Sequence, residues 1–255
     1  MTSERVEFAN AAGQILAGRV DRPAGAPLAW ALFAHCFTCT KNLRAIGHLT
    51  SSLVAAGVAV LRFDFTGLGA SEGDFADTTF SHNVEDLVAA ARYLAEHGSA
   101  PQLLIGHSLG GTAVLHAAAR LAGVQAVATI GSPAHAAHVA HLLRSSLAEI
   151  EAAGEANVDL GGRVFRIRRE FLEDLKRHST LEVVRGLRCA LLFLHSPLDA
   201  TVDVSNAADL FTAARHPKSF VSLDRADHLL TADADAAYAG RVLAAWASKY
   251  LDRTT

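Results

Sequence analysis

The chain has 255 residues, of which 51% are hydrophobic and 19% are charged, and its net charge at pH 7 is -3. This composition excludes an intrinsically disordered chain, and the small negative charge gives no broad attraction to nucleic acid or to an anionic membrane. The three cysteines, Cys36, Cys39 and Cys189, are too few for a secreted disulfide framework. Since the N-terminus lacks the apolar core of a signal peptide and no unbroken apolar run reaches about 18 residues, we predict a soluble cytoplasmic protein with no nucleic-acid or membrane partner.

The predicted elements begin with a hairpin and then alternate between strand and helix. Residues 5–20 alternate in polarity around the turn Ala11-Ala12-Gly13-Gln14, which predicts an antiparallel β-hairpin. Short apolar runs and segments of helical periodicity follow in turn, and this order predicts a mostly parallel, doubly wound sheet of about eight strands in one domain, residues 1–255. The predicted strands are Trp30–Cys36, Val58–Phe65, Gln102–His107, Ala126–Ile130, Ala190–His195 and Lys218–Leu223, and the predicted helices include Leu43–Ala56, Asn83–His97, Leu109–Leu121 and Ala234–Tyr250.

The alternation is interrupted between the fourth and fifth of these strands, Ala126–Ile130 and Ala190–His195. Residues 134–186 contain no strong buried-strand run and are predicted to form an insertion. Within it we predict a helix over His138–Ala153, a hairpin that turns on Gly161-Gly162, and a second helix over Arg168–Arg177. An insertion at the carboxyl ends of parallel strands would cover the crevice in which open α/β sheets bind ligands, so we predict a small lid.

The strongest chemical signal is Gly106-His107-Ser108-Leu109-Gly110, between a predicted strand and a predicted helix. This is the context of a nucleophile elbow, a tight turn that exposes a serine hydroxyl and needs small residues two positions before and after the serine. The helix that follows would direct its free N–H groups and its positive dipole end toward an anion formed beside Ser108. We predict Ser108 as a nucleophile; the alternative is a glycine-rich turn without chemistry.

A serine nucleophile needs a general base and an acid that orients it, and this kind of fold supplies them later in the chain, acid first. Asp199 is the first carboxylate after the predicted strand that ends at residue 195, and His228 follows the next strand. Neighbouring parallel strands would bring both loops to the edge that holds Ser108. Asp203 is the alternative acid, but its position favours a cap or first-turn carboxylate of the next helix. Asp227 is less favoured because adjacent side chains rarely reach each other's far ring nitrogen.

Acyl transfer also needs two donors for the oxyanion, one after the serine and one in the loop after the first buried parallel strand. These are predicted to be the backbone N–H groups of Leu109 and Phe37. The loop reads His35-Cys36-Phe37-Thr38-Cys39, with Cys36 where glycine would be expected. This departure would narrow the oxyanion hole, the site formed by the two donors, or change the angle of the donors. Cys36 and Cys39 also form a Cys-x-x-Cys. A redox pair is expected to open a helix of a thioredoxin-like unit, so two buried small residues are favoured over a redox function.

Several histidines are predicted to have structural roles. His35 is expected to hold its loop through backbone hydrogen bonds, and His107 to pack beside the serine. His135, His138 and His141 have helical spacing, with no cysteine or carboxylate to complete a zinc set, so we predict no metal site.

Two further patterns are given weaker interpretations. Residues 67–73, Gly-Leu-Gly-Ala-Ser-Glu-Gly, resemble a dinucleotide fingerprint, but the third glycine comes one place late and no helix follows, so we predict no cofactor. The basic residues Arg163, Arg166, Arg168 and Arg169 are interpreted as a solvated face of the lid. The alternative is that they bind an anionic substrate or an acidic partner surface.

Taken together, these motifs resemble the α/β-hydrolase superfamily, serine esterase type, over essentially the whole chain. Besides the serine motif, the segment from Arg62 to Ser71 resembles the family's Asp-x-x-Gly-x-Gly-x-Ser loop. The segments Ala34 to Cys39 and Gly161 to Leu172 are similar to the hydrolase half of bacterial proteins in which such a domain is fused to an OsmC-type peroxidase domain. The resemblance implies an α/β-hydrolase fold and a possible OsmC-type protein partner.

The resemblance also implies the roles of five residues: nucleophile, acid and base at Ser108, Asp199 and His228, and oxyanion donors at Phe37 and Leu109. Our leading hypothesis is a serine hydrolase that cleaves small acyl or aromatic carboxylic esters through an acyl-enzyme. Acyl transfer, perhydrolysis or amide cleavage on the same triad are alternatives. A different class of function, a binding or accessory module for an OsmC-type partner with vestigial hydrolysis, is also open.

Overall fold

The computed structural model describes residues 1–160 and 162–251. The strands are Thr2–Ala9 (β1), Ile15–Arg22 (β2), Ala29–Ala34 (β3), Val58–Phe63 (β4), Leu103–His107 (β5), Ala126–Ile130 (β6), Glu155–Asp159 (β7), Val164–Arg168 (β8), Ala190–His195 (β9) and Lys218–Ser222 (β10). The α-helices are Arg44–Ala55 (α1), Phe80–His97 (α2), Leu109–Ala118 (α3), Leu147–Ala153 (α4), Arg169–Lys176 (α5), Thr180–Gly186 (α6), Ser205–Ala213 (α7) and Asp233–Ala247 (α8). Two 3₁₀ segments cover Phe75–Asp77 and Ala136–Ser146.

Eight strands form one sheet in the order β1-β2-β4-β3-β5-β6-β9-β10. The β1–β2 and β2–β4 pairs are antiparallel, and every other neighbouring pair is parallel. This confirms the predicted mostly parallel sheet with an N-terminal antiparallel hairpin. The carboxyl ends of β3, β5, β9 and β10 therefore lie at one edge of the sheet, and the loops that follow them carry the predicted site residues.

The central strands are mostly apolar and are buried throughout, because helices cover both faces of the sheet. All residues of β3, β5, β6 and β9 are buried, as expected for parallel strands in a doubly wound sheet. Successive side chains point to opposite faces. Leu32 packs in the core that contains α2 and α3, and the next residue, Phe33, packs in the core that contains α1 and α8. The strand β10 lies at the edge and is half-exposed.

Residues 134–186 differ from the prediction in their first half. Of the predicted helix over 138–153, only the part from Leu147 is an α-helix, and the residues before it form a 3₁₀ helix. In these turns the His138 N–H donates to the His135 carbonyl oxygen three residues earlier, and the His141 Nδ1–H donates to the His138 carbonyl oxygen. The hairpin is present as β7–β8, although Gly161, at its predicted turn, lies outside the described residues. The second predicted helix is present as α5, and α6 lies where no element was predicted.

None of the helices in the described part of the chain combines the length and the apolarity that a membrane span requires.

Candidate active site

Ser108 lies on a tight turn between β5 and α3. Its φ is 55° and its ψ is -128°, a conformation that L-residues rarely adopt. The turn is possible because glycines surround it. A methyl group on Gly110 would lie 2.2 Å from the His35 carbonyl oxygen, and one on Gly106 would lie 2.3 Å from the Gly110 carbonyl oxygen. The elbow therefore packs backbone against backbone, and its position is fixed by the sheet.

The three predicted triad residues meet at this turn. The Ser108 hydroxyl lies 3.0 Å from His228 Nε2, and His228 Nδ1 lies 2.7 Å from Asp199 Oδ2. The other carboxylate oxygen of Asp199 accepts hydrogen bonds of 2.9 Å from the N–H groups of Thr201 and Val202. The carboxylate is thus held on both sides, and its side chain is only 2% exposed.

The two alternative acids are engaged elsewhere. Asp203 is exposed and accepts a hydrogen bond of 2.8 Å from the Ser205 N–H, at the start of α7, as the sequence suggested. Asp227 accepts from the backbone N–H and the hydroxyl of Thr231. Neither carboxylate is within ion-pair distance of His228.

The hydrogen bonds around Asp199 favour its charged form. Burial alone would raise the pKa of the Asp199 carboxyl, but the hydrogen bonds from His228 and the Val202 N–H outweigh burial and hold the pKa below its usual range. An ionised Asp199 requires the proton of a neutral His228 to be on Nδ1. Nε2 is then free to accept the Ser108 proton.

His107, next to the serine, supports the loop that carries the base. Its Nε2–H donates a 2.7 Å hydrogen bond to the His228 carbonyl oxygen, and the two rings lie 5.0 Å apart. Burial, reinforced by the neighbouring His228, lowers the pKa of His107 to about 3. A ring that stays neutral and is occupied at Nε2 fits the predicted packing role.

His35 and Asp64 position the loop that contains Phe37. The His35 Nδ1–H donates to the Cys36 carbonyl oxygen at 2.7 Å, and the Phe65 N–H donates to His35 Nε2 at 3.3 Å. The buried Asp64 carboxylate accepts from the Lys41 N–H at 2.7 Å, forms an ion pair with the Lys41 ammonium, and accepts from the Ala70 N–H at 3.0 Å. These contacts tie the loop after β3 to the loop after β4.

Gly69 lies in the loop after β4, at a position where only glycine fits. Its φ is +57°, and a methyl group there would lie 2.1 Å from Asp64 Oδ2. Glycine therefore allows the loop to wrap the carboxylate. This is the structural reason for the second glycine of the Asp-x-x-Gly-x-Gly-x-Ser pattern, which runs from Asp64 to Ser71.

The two predicted oxyanion donors lie on either side of the elbow. Phe37 follows β3, Leu109 is the first residue of α3, and neither backbone N–H donates to a protein acceptor within the described residues. Phe37 and Ser108 line the same cavity. The two amides are thus free of protein acceptors among the described residues, and Phe37 lies on the wall of the cavity that contains Ser108.

Cys36 and Cys39 are joined by a disulfide, with their Cα atoms 5.3 Å apart. The bond closes a four-residue ring that contains Phe37, and both cysteines line the cavity beside Ser108. Sequence analysis favoured two buried small residues. The Cys-x-x-Cys spacing was the available signal, but the pairing depends on a loop conformation that the spacing does not determine.

The cavity beside Ser108 has a volume of about 370 Å³. Its apolar wall includes Val139, Leu142, Leu160 and Leu229, of which the first three belong to residues 134–186. Arg163, from the same segment, also lines it. The predicted insertion thus forms one side of the cavity.

Two of the histidines of the insertion, His138 and His141, have protein partners. His138 Nε2 lies 3.4 Å from the Thr201 carbonyl oxygen, and the His138 and His141 rings are 4.4 Å apart. Within residues 1–160 and 162–251, no three ligating side chains come together in a way that could hold a metal ion.

The buried histidines make stability dependent on pH. Burial lowers the pKa of His35 to about 4 and that of His107 to about 3, against an ordinary value of 6.5. Between pH 6.5 and these values the unfolded chain binds more protons than the folded chain. We therefore expect the free energy of unfolding to fall with decreasing pH by about 1.4 kcal/mol per pH unit for each histidine.

Urea unfolding at pH 7.5, 6.0 and 5.0 measures this dependence. His107→Gln should make it shallower by about one proton, whereas the exposed His97→Gln should leave the wild-type slope. An unchanged slope in His107→Gln would contradict the assignment of a buried neutral ring.

With this geometry established, similarity to known proteins identifies the family. A family model described as "Serine aminopeptidase, S33" matches residues 39–160. The crystal structure of the esterase domain from a Rhodothermus marinus protein is 54% identical, covers 98% of this chain and 100% of that domain, and has a TM-score of 0.83. The chain belongs to the α/β-hydrolase superfamily. The predicted fold and superfamily are confirmed, whereas the similarity to proteins that carry an OsmC-type domain stays a prediction.

Two further relatives bear on the type of hydrolase. The mouse protein named palmitoyl-protein thioesterase ABHD10, mitochondrial, is 30% identical over 187 residues, which are 70% of this chain and 62% of that protein. This chain therefore spans less than two thirds of that relative. The Est1E structure with bound ferulic acid, from Butyrivibrio proteoclasticus, is 19% identical with a TM-score of 0.79 over 96% of this chain and 98% of that one, and shows a shared fold. The comparisons support a hydrolase of the esterase or thioesterase type.

Proposed function

We propose that this α/β hydrolase is a serine esterase, which cleaves small acyl or aromatic carboxylic esters through an acyl-enzyme. The observation that carries the proposal is the continuous hydrogen-bond chain from the Ser108 hydroxyl through the His228 ring to Asp199, with distances of 3.0 and 2.7 Å, at the wall of a cavity. A nucleophile, a base and an orienting acid in this geometry are what acyl transfer requires.

In the first half of the reaction, Ser108 Oγ attacks the ester carbonyl carbon while His228 Nε2 accepts the hydroxyl proton. The Phe37 and Leu109 N–H groups donate to the oxyanion of the tetrahedral intermediate. His228 then gives its proton to the departing alcohol, and the acyl group remains on Ser108. Asp199 stays ionised throughout and stabilises the imidazolium.

In the second half, water takes the place of the alcohol. His228 accepts a proton from the water as it attacks the acyl-enzyme, the same two N–H groups stabilise the second oxyanion, and the proton returns to Ser108 as the carboxylic acid leaves. The Ser108 turn lies at the N-terminal end of α3, whose positive dipole end favours both anionic intermediates.

The cavity supports short or aromatic acyl groups. Its volume of about 370 Å³ is at the lower end of the range of about 300–1,000 Å³ found for small-molecule sites. Val139, Leu142 and Leu160 provide apolar surface for an acyl group. We also propose that residues 134–186, which contribute these side chains, act as a lid, while cytoplasmic location and an OsmC-type partner stay predictions.

Labelling with a fluorophosphonate probe, followed by peptide mass spectrometry, tests the nucleophile without the choice of a substrate. We expect one adduct, on the peptide that contains Ser108, and no adduct in heat-denatured protein. Well-folded protein that does not react would contradict the proposed function and favour the accessory-module alternative.

A thioester is the second candidate substrate, because the mouse relative is named a palmitoyl-protein thioesterase. The same triad would expel a thiolate in place of an alcohol. Oxygen and sulfur esters with the same acyl group, butyryl and palmitoyl, distinguish the two candidates by their kcat/KM. Preference for the palmitoyl thioester over both butyryl esters would replace the short-chain esterase proposal.

The disulfide beside Phe37 leads to a further prediction. Because it closes the loop that presents the Phe37 N–H, the double variant Cys36→Ser/Cys39→Ser should lower kcat about tenfold, with KM within about twofold of wild type. Cys189→Ser, which changes a half-buried cysteine outside this disulfide, is the control and should retain the wild-type kcat. Equal kcat values for wild type and the double variant would show that the ring does not position the donor.

A further inference from the structure

Arg163 is the one permanently charged residue among the described residues that line the cavity beside Ser108. It lies in the loop between β7 and β8. Its guanidinium is 5.0 Å from the centre of the Phe165 ring, and its Nη1 donates to the Thr38 carbonyl oxygen at 3.2 Å. The side chain is thus held between the insertion and the loop that contains Phe37.

The other three arginines of the basic cluster are engaged outside the cavity. Arg166 pairs with Asp74 at 2.8 Å, and Arg168 pairs with Asp77 and, at 3.2 Å, with Glu155. The Arg169 Nη2 donates to the Glu151 carbonyl oxygen at 2.6 Å. Arg163 is exposed as well, but it is the one of the four that lines the cavity.

No carboxylate of the described residues lies within ion-pair distance of Arg163. A guanidinium carries five N–H donors in a planar fork, and among the residues that the structure describes only one of these donors, on Nη1, has a protein acceptor. Such a fork matches a carboxylate, which can accept two parallel hydrogen bonds. A guanidinium that lies at the wall of an apolar cavity, has no ion-pair partner among the described residues and keeps free N–H donors is suited to bind an anionic ligand.

We propose that Arg163 binds a carboxylate carried by the substrate at a distance from the scissile ester, so that the preferred substrates are anionic esters. The inference rests on the proposed function, because the cavity is the acyl-transfer site. The carboxylate can belong to the acyl part, as in a dicarboxylic acid monoester, or to the alcohol part, as in an ester of a hydroxybenzoate. The chemistry at Arg163 is the same in both cases.

Two matched pairs of esters distinguish these sources. In the first pair the acyl part carries the charge: 4-nitrophenyl hydrogen glutarate against 4-nitrophenyl methyl glutarate. In the second pair the alcohol part carries it: 4-(butyryloxy)benzoate against its methyl ester. We would measure kcat/KM for wild type, Arg163→Gln and Arg169→Gln. Arg169 is a neighbouring arginine that also has no carboxylate partner in the described part of the chain, but it does not line the cavity.

For each pair, the preference is the kcat/KM of the anionic ester divided by that of the neutral ester. In at least one pair we expect this preference to be about tenfold or more higher in wild type and Arg169→Gln than in Arg163→Gln. The neutral ester should be cleaved within about twofold by all three proteins. The preference should also decrease as sodium chloride is raised from 50 to 500 mM, because salt screens the ion pair.

If Arg163→Gln lowered kcat/KM equally for the anionic and the neutral ester of a pair, the inference would be overturned, because Arg163 would then only hold the Thr38 loop. Wild type without an anionic preference in either pair would also overturn it, and neither result affects the proposed function. Absence of both fluorophosphonate labelling and hydrolysis would remove the proposed function together with the inference.

Should the protein be labelled but cleave none of the four esters, the rate of labelling decides. Glutarate or benzoate should slow the labelling of wild type and Arg169→Gln but not of Arg163→Gln. Labelling of wild type that neither anion slows would overturn the inference.

Discussion

Replacement of Ser108 by alanine is expected to lower kcat for ester hydrolysis on the order of a millionfold, with little change in KM. In the proposed reaction the hydroxyl oxygen of Ser108 forms the acyl-enzyme, whereas the apolar wall of the cavity, which would bind the substrate, is not altered. Initial rates with a short 4-nitrophenyl ester at pH 7.5, measured at high enzyme concentration, test the expectation. The remaining rate should come from the oxyanion donors and from binding alone.

The variant also has to be shown to fold. Ser108 has a positive φ, and alanine is another L-residue with a Cβ, so the strain of the turn stays similar and the urea midpoint should remain close to that of wild type. A folded Ser108→Ala protein that retains more than about 1% of kcat would contradict the assignment of the nucleophile.

The sheet and the three loops that carry Ser108, Asp199 and His228 could be predicted because they depend on local sequence patterns. Buried parallel strands are continuous apolar runs, so β5, β6 and β9 were located within one residue. The order of strands then brought Ser108, Asp199 and His228 to one edge. Asp199 was preferred to Asp203 because a carboxylate just before a helix is used by the backbone of that helix, and Asp203 does bond the Ser205 N–H.

What could not be predicted depends on contacts between distant segments. The helix α6 has seven residues, of which only Thr180 and Val184 are buried, so it has no apolar periodicity to detect. The four arginines of residues 163–169 look alike in sequence. They differ only because Asp74 and Asp77, about ninety residues away, pair with Arg166 and Arg168. Arg163 instead reaches the loop after β3.

The network around Asp64 shows how the fold keeps the loop that contains Phe37 in place. Its carboxylate bonds the Lys41 N–H on one loop and the Ala70 N–H on another, while His35 joins the Cys36 carbonyl to the Phe65 N–H. Buried polar groups that are fully hydrogen-bonded fix a loop more firmly than apolar contacts do. In the proposed reaction, the Phe37 N–H would thus be positioned before a substrate arrives, which is the condition for electrostatic stabilisation of an oxyanion.

Asp199→Asn is expected to lower kcat about ten-thousandfold, and the hydrogen bonds of Asp199 give the reason. One carboxylate oxygen accepts from the N–H groups of Thr201 and Val202 at 2.9 Å. The amide introduced by the substitution would keep its oxygen toward those two donors and turn its NH₂ toward His228 Nδ1. His228 would then carry its proton on Nε2, where it cannot accept the proton of Ser108.

Asp203→Asn is the matched control, because Asp203 lies four residues further along the same loop and is exposed. Its kcat should stay within about twofold of wild type, with at most a small change in the urea midpoint from the altered start of α7. The pH dependence of kcat for Asp199→Asn, measured from pH 6 to 10, should show partial recovery at high pH, where hydroxide can assist the serine in place of the base. Losses of similar size in Asp199→Asn and Asp203→Asn would mean that the orienting carboxylate is shared, and that the single contact at 2.7 Å between His228 and Asp199 does not determine the tautomer.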